Sequence, residues 1–261
     1  MDTPTPANGF VVGSWPRTML VIPVPEHYRF EAPSITGLRM YHATIVGPHT
    51  APIISYNDGP RNRGLSIELS TLGAYQILGI DQSELTNRMI NAEELLPRDL
   101  VMRMIEAVRE TSDPARICLR VEALLLSFLA GRELSTIHPA VRAALTAVRC
   151  APEANIEEMA LRCNMSPRTL RRLFGRFVGL PPKRVSLIHR SHCAARRIIK
   201  NDMLGRRQNL ADLAQELGFH DHAHLSHVLQ QELLAAPSVL PRSDRHGEVR
   251  VVLRPSLYFT P

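Results

Sequence analysis

Four arginines, Arg168, Arg171, Arg172 and Arg176, fall within nine residues at offsets of three, four and eight. That spacing gathers side chains on one face of a helix. A guanidinium offers two parallel donors, which match the O6 and N7 acceptors of guanine in the major groove and equally well a phosphate. In the same stretch Leu170, Leu173, Phe174 and Phe177 follow the i, i+3, i+4, i+7 pattern, so the apolar residues turn inward and the arginines outward. Such a helix can enter the groove of a duplex, or it can be a basic face turned to solvent.

What stands in front of the arginines separates these alternatives. Asn155 to Leu161 reads as a short apolar helix, with Asn155 and Glu158 in capping-box positions. A turn through Asn164-Met165 follows, and Ser166-Pro167 restarts a helix by pairing a side-chain cap with a proline in the first turn. This is a helix-turn-helix pattern, and it recurs about 54 residues later as Leu210 to Phe219, then Asp221 and a helix through Leu225 and Leu229. Between the copies, Gly179-Leu180-Pro181-Pro182 ends the arginine helix, and Lys183 to Lys200 resumes a long helical pattern with Val185, Ile188 and Ile198 inward. A rigid connecting helix would space two reading units about one turn of DNA apart.

Charge agrees with a nucleic-acid partner. Leu161 to Arg207 carries 13 Arg or Lys against one acid, leaving 18 basic against 24 acidic groups in the other 214 residues. The net charge of +6 therefore arises from one block, as phosphate binding requires.

Met165 to Phe174, followed by Gly179-Leu180-Pro181-Pro182-Lys183-Arg184, resembles the AraC/XylS family of bacterial transcription regulators. Leu210-Ala211-Asp212-Leu213-Ala214, then Leu217-Gly218-Phe219 and Asp221 to Ser226, is similar to that family's second signature. The resemblance runs from near Pro139 to near Arg242 and implies a regulator of double-stranded DNA whose two recognition helices read successive major-groove segments. Carried over by position, base contacts fall on Arg168, Arg171 and Arg172 in the first unit and on His222, Ala223 and His227 in the second. Arg176, Lys183, Arg184 and Arg190 are the candidate phosphate contacts. The second unit departs from the family pattern: Leu225 replaces an aromatic, His227-Val228-Leu229 replaces Arg-x-Phe, and Leu234 replaces a glycine, with Pro237 retained. The first unit is expected to supply most of the sequence reading. Histidines in the second would add positive charge as pH falls, so DNA affinity is expected to rise between about pH 8 and 6.

The expected fold class is α+β. Residues 1–134 would form a regulatory, sensor or dimerisation domain, β-rich as a partial barrel and completed by helices. Residues 139–242 would form an all-α domain of two helix-turn-helix units joined by a long helix, with 243–261 as a tail. Strands are expected over Thr18 to Val24, Gly37 to Val46 and Gly64 to Leu69, interrupted by Pro23, Pro25, Pro33, Gly47-Pro48 and Asp58-Gly59-Pro60. Asp113-Pro114 should start a helix with Ile117, Val121, Leu124, Leu125, Phe128 and Leu129 inward, paired with one carrying Leu100, Val101, Met104, Ile105 and Val108. Gly64 to Ser70, with Leu72 to Tyr75 and Leu78 to Ile80, resembles the sensor region of one branch of the same family, which leaves open whether its interior binds a small molecule or is simply packed. Glu248 to Tyr258 is strand-like.

Other classes are weakly supported. The four cysteines, Cys118, Cys150, Cys163 and Cys193, lack the two-residue gap of metal or redox pairs, so no metal or cofactor is expected. His220, His224 and His227 share a helix face, and His42 and His49 lie in the strand region, but neither set is completed by further ligands. Gly64, Gly73 and Gly79 are too far apart for a phosphate loop, and no catalytic constellation is present, so an enzyme is not expected. Without a 20-residue apolar run or a secretory signal, the chain reads as cytoplasmic. The rival to a DNA reader is a small-molecule sensor or protein-interaction module that keeps the tandem scaffold without reading DNA.

Overall fold

The computed structural model describes residues 9–24, 28–32, 40–57, 63–150, 156–240 and 250–251. In the N-terminal part β1 (Gly9–Val12), β3 (Tyr28–Glu31) and β5 (Ile53–Asn57) lie in one sheet, and β2 (Met19–Val24), β4 (Thr44–Val46), β6 (Arg63–Glu68) and β7 (Met89–Asn91) in the other. The first sheet has the order β3-β5-β1-β8, where β8 (Arg250–Val251) comes from the far end of the chain and pairs with β1 in parallel. The second has the order β6-β2-β4-β7, wholly antiparallel. Among the described residues both sheets stay open, as a partial rather than a closed barrel.

Register follows the side chains that must be buried. β2 sets Leu20 opposite Ile67 and Ile22 opposite Leu65, and Leu20 and Ile22 are buried against helices. The expected strand from Gly37 is reduced to Thr44–Val46, with residues 33–39 outside the described residues. Within the strand-like tail only Arg250–Val251 is described. After α1 (Gly73–Leu78) and two single 3-10 turns come α2 (Arg98–Glu110) and α3 (Pro114–Leu129). As the Asp-Pro pair indicated, Asp113 caps α3 by accepting a hydrogen bond from the Ala115 amide at 3.0 Å. Val101, Met104, Val108, Ile117 and Val121 close over the second sheet, whereas Leu124, Leu125 and Phe128 are only partly buried.

The C-terminal part holds α4 (Pro139–Cys150), α5 (Ile156–Arg162), α6 (Pro167–Val178), α7 (Pro182–Met203), α8 (Leu210–Glu216) and α9 (His222–Leu233). One core gathers α4, α5, α6 and the first half of α7 around Leu170, Phe174 and Ile188. A second gathers the rest of α7 with α8 and α9 around Leu213, Leu225 and Leu229. The first core reaches back into the N-terminal part, because Leu72 and Tyr75 belong to it and the Tyr75 ring meets Phe177 edge-on at 4.6 Å. Residues 130–138, between α3 and α4, contain no regular element.

Candidate nucleic-acid interface

The first unit is assembled by its turn and its cap. Asn164 adopts a left-handed backbone, φ 55°, which reverses the chain between α5 and α6. Ser166 then caps α6, its hydroxyl accepting from the Thr169 amide at 3.1 Å. The Asn155 cap proposed for α5 lies outside the described residues. Leu170, Phe174 and Phe177 are buried, so Arg168, Arg171, Arg172 and Arg176 are all exposed on the opposite side of α6.

These four arginines do not have equal surroundings. Among the described residues Arg168 and Arg172 have no ion-pair partner, and Arg171 donates from Nη2 to Glu157 Oε1 on α5 at 3.1 Å. Arg176 is held by the N-terminal part: Nε donates to Asp81 at 3.1 Å and Nη2 to the Tyr75 hydroxyl at 2.9 Å, with the guanidinium over the Tyr75 ring. The Tyr75 hydrogen bond, with Asp81 beside it, raises the Arg176 pKa above the ordinary guanidinium range. The same end of α6 stops at Gly179, φ 86°, where an added Cβ would lie 2.8 Å from the Gln82 carbonyl oxygen. Thr86 donates to the Gly179 carbonyl at 2.8 Å.

Of the remaining candidate phosphate contacts, Lys183 is exposed in the first turn of α7. Arg184 is engaged bidentately by Glu232 at 2.6 and 2.8 Å and also donates to the Thr50 carbonyl. Arg190 donates to the Gly218 carbonyl at 2.6 Å and covers the Phe219 ring, fastening the turn between α8 and α9. Arg184 and Arg190 are thus built into the protein's interior joints, and only Lys183 stands clear of them.

The second unit repeats the scaffold with a different surface. Asp221 caps α9 by accepting from the His224 amide at 2.7 Å, and that bond lowers the Asp221 pKa below the usual carboxylate range, with His220 adding to it. Leu225, Val228, Leu229 and Leu233 face the core, and His222, Ala223 and His227 are exposed. His224 Nδ1 accepts from the His220 amide at 3.2 Å, and its ring meets Phe219 edge-on. His220, His224 and His227 are all exposed. In the strand region His49 is buried with its ring nitrogens at the Gly13 and Gly47 carbonyls, while His42 is exposed.

Glu157, Tyr75, Asp81 and Glu232 had no signal in the sequence, since each meets its arginine across 14 to 101 residues. The two exposed faces, one rich in arginine and one in histidine, each preceded by a short helix and a tight turn, define a tandem helix-turn-helix DNA-binding domain. Residues 159–243 match a helix-turn-helix domain family. No curated protein sequence matches the chain. Among solved structures, an apo variant of ToxT from Vibrio cholerae strain SCE256 is similar with a TM-score of 0.50 at 7% identity, over 88% of this chain and 91% of that one. Unsaturated-fatty-acid-bound ToxT from the same strain gives 0.45 at 6% identity, over 88% and 92%. The C-terminal domain of AraT, a response regulator from Geobacillus stearothermophilus, gives 0.37 at 19% identity, over 43% and 97%. Residues 159–243 therefore carry a DNA-binding helix-turn-helix domain, in the region where the sequence resembles the AraC/XylS transcription regulators.

Proposed function

We propose that the chain is a bacterial cytoplasmic regulator that reads two successive major-groove segments, with α6 supplying most of the sequence discrimination and α9 a weaker share. The observation that carries this is the exposure of Arg168, Arg171 and Arg172 on a capped helix whose apolar side packs into the core through Leu170, Phe174 and Phe177. These three are the base contacts, joined by His222 and His227 in the second unit. Lys183 is the phosphate contact. Arg176, Arg184 and Arg190 reach phosphates only if they exchange their present partners. Residues 1–134 act as the regulatory domain, and control by a small molecule is part of the proposal, supported by the fold shared with ToxT, which has been solved with an unsaturated fatty acid.

The test is selection of bound duplexes from a random pool by the full chain, followed by affinity measurements on a recovered duplex and a scrambled one. Arg171→Ala should lose the preference for the recovered duplex. Lys183→Ala should weaken both alike and lower the salt slope by about one. A pool that yields no enriched sequence would support the sensor or protein-interaction reading instead.

A further inference from the structure

The acid beside Arg171 calls for a reason other than stability. Glu157 and Arg171 have side chains 58% and 53% exposed, and an ion pair so wet contributes little to folding. An acid beside a face that must approach phosphates also opposes binding. Yet α5 presents Glu157 from its first turn, and the left-handed turn at Asn164 brings it to the fifth residue of α6.

We propose that Glu157 is a specificity-determining positioning residue that holds the Arg171 guanidinium toward base edges. The inference rests on reading Arg171 as a base contact. A carboxylate on one hydrogen of Nη2 leaves the other Nη2 hydrogen and both on Nη1 free, enough for the bidentate pair with guanine O6 and N7. An unheld arginine has four rotatable bonds and reaches the nearest phosphate as readily as a base, and fixing it removes much of the ordering cost at the moment of recognition. The Glu157 charge meanwhile repels the backbone of every duplex equally. Only the positioning raises the ratio of specific to non-specific affinity; the repulsion lowers both alike and keeps non-specific binding weak.

The experiment compares the full-length wild type with Glu157→Gln, Glu157→Ala, Arg171→Ala and the Glu157→Ala/Arg171→Ala double variant, on a duplex recovered from the random pool and on its scrambled counterpart. Circular dichroism melting checks that each variant is folded. Glu157→Ala should bind the scrambled duplex more tightly and the recovered duplex no more tightly, reducing their affinity ratio about tenfold, the low end of one bidentate base contact. Glu157→Gln, which keeps an acceptor without the charge, should fall between. In the Arg171→Ala background, Glu157→Ala should leave the ratio unchanged. Equal changes on both duplexes for Glu157→Ala, or the same change in ratio with and without Arg171, overturn the proposal. If Arg171→Ala itself weakens both duplexes alike, the base assignment of Arg171 fails and the proposal falls with it. If Arg171→Ala reduces the ratio and Glu157→Ala does not, only the positioning role fails.

Discussion

Mild acid should loosen the joint between the N-terminal sheet and α7 through a single residue, His192. This side chain is 3% exposed, and its Nε2 lies 2.9 Å from the Ser14 carbonyl oxygen. A carbonyl only accepts, so Nε2 carries the proton, and the buried Nδ1 has no partner among the described residues. Trp15 lies against the ring at 5.0 Å, and Arg196, His49 and His189 all oppose a second positive charge there. Burial, the largest cause, with those charges added, lowers the pKa from 6.5 to about 4. Between those values the unfolded chain binds a proton that the native state refuses, so stability is fully present above about pH 6.5 and is lost as pH falls toward 4. The loss is about 1.4 kcal/mol at pH 5.5 and approaches about 3 kcal/mol when titration is complete. Urea unfolding at several pH values, followed by the emission of Trp15, the one tryptophan in the sequence, measures it against His192→Gln. The glutamine keeps a donor for Ser14 but does not titrate. A difference between wild type and variant that stays constant from pH 7.5 to 5 would refute the reasoning.

Two further perturbations probe the contacts between the sheet part and the helices. Asp81→Asn removes the carboxylate that occupies Arg176 and should raise affinity for every duplex a few-fold, with a steeper salt slope; unchanged binding in an anisotropy titration would show that Arg176 stays away from phosphates. Arg184→Ala leaves the Glu232 carboxylate, 2% exposed, without its bidentate partner and should cost about 3 kcal/mol in urea unfolding. A loss under about 1 kcal/mol would mean that water reaches Glu232 without its partner.

The helices of the first unit were legible because their signals are local. Ser166-Pro167 starts α6, and Leu170, Phe174 and Phe177 mark its inner face within one helix length. The strands were legible as far as alternation reached: Thr18 to Val24 became β2, one residue shorter at its start, and Gly64 to Leu69 became β6, shifted one residue toward the N-terminus. Pairing in the first sheet was not, since joining β8 to β1 brings together residues some 240 positions apart. The partners of the arginines were hidden for the same reason. Nothing near Arg176 in the sequence indicates Asp81, and nothing near Arg184 indicates Glu232, so a basic face read from spacing alone overstates how many of its charges are available to DNA. Outward orientation can be read from period, but the claim of another element on the same side chain cannot.

The departures in the second unit have a structural basis of the same kind. Leu234 stands where the family pattern places glycine, and it adopts the left-handed conformation that glycine accommodates, φ 53°, at the C-terminal cap of α9. A branched side chain there costs about 1–2 kcal/mol. The compensation lies across the joint: Leu234 packs on Val11 and Ile54 of the first sheet, next to the Ser14 amide that donates to the Glu232 carbonyl at 2.9 Å. The strained leucine thus exchanges local comfort for a contact between α9 and the sheet. Two substitutions separate the terms. Leu234→Ala loses the packing and keeps the strain, and Leu234→Gly loses the packing and relieves it, so glycine should be the more stable of the two by about 1 kcal/mol, against its usual disadvantage in a helix. Urea unfolding ranks them, and an alanine variant as stable as the glycine one would show that position 234 carries no strain to relieve.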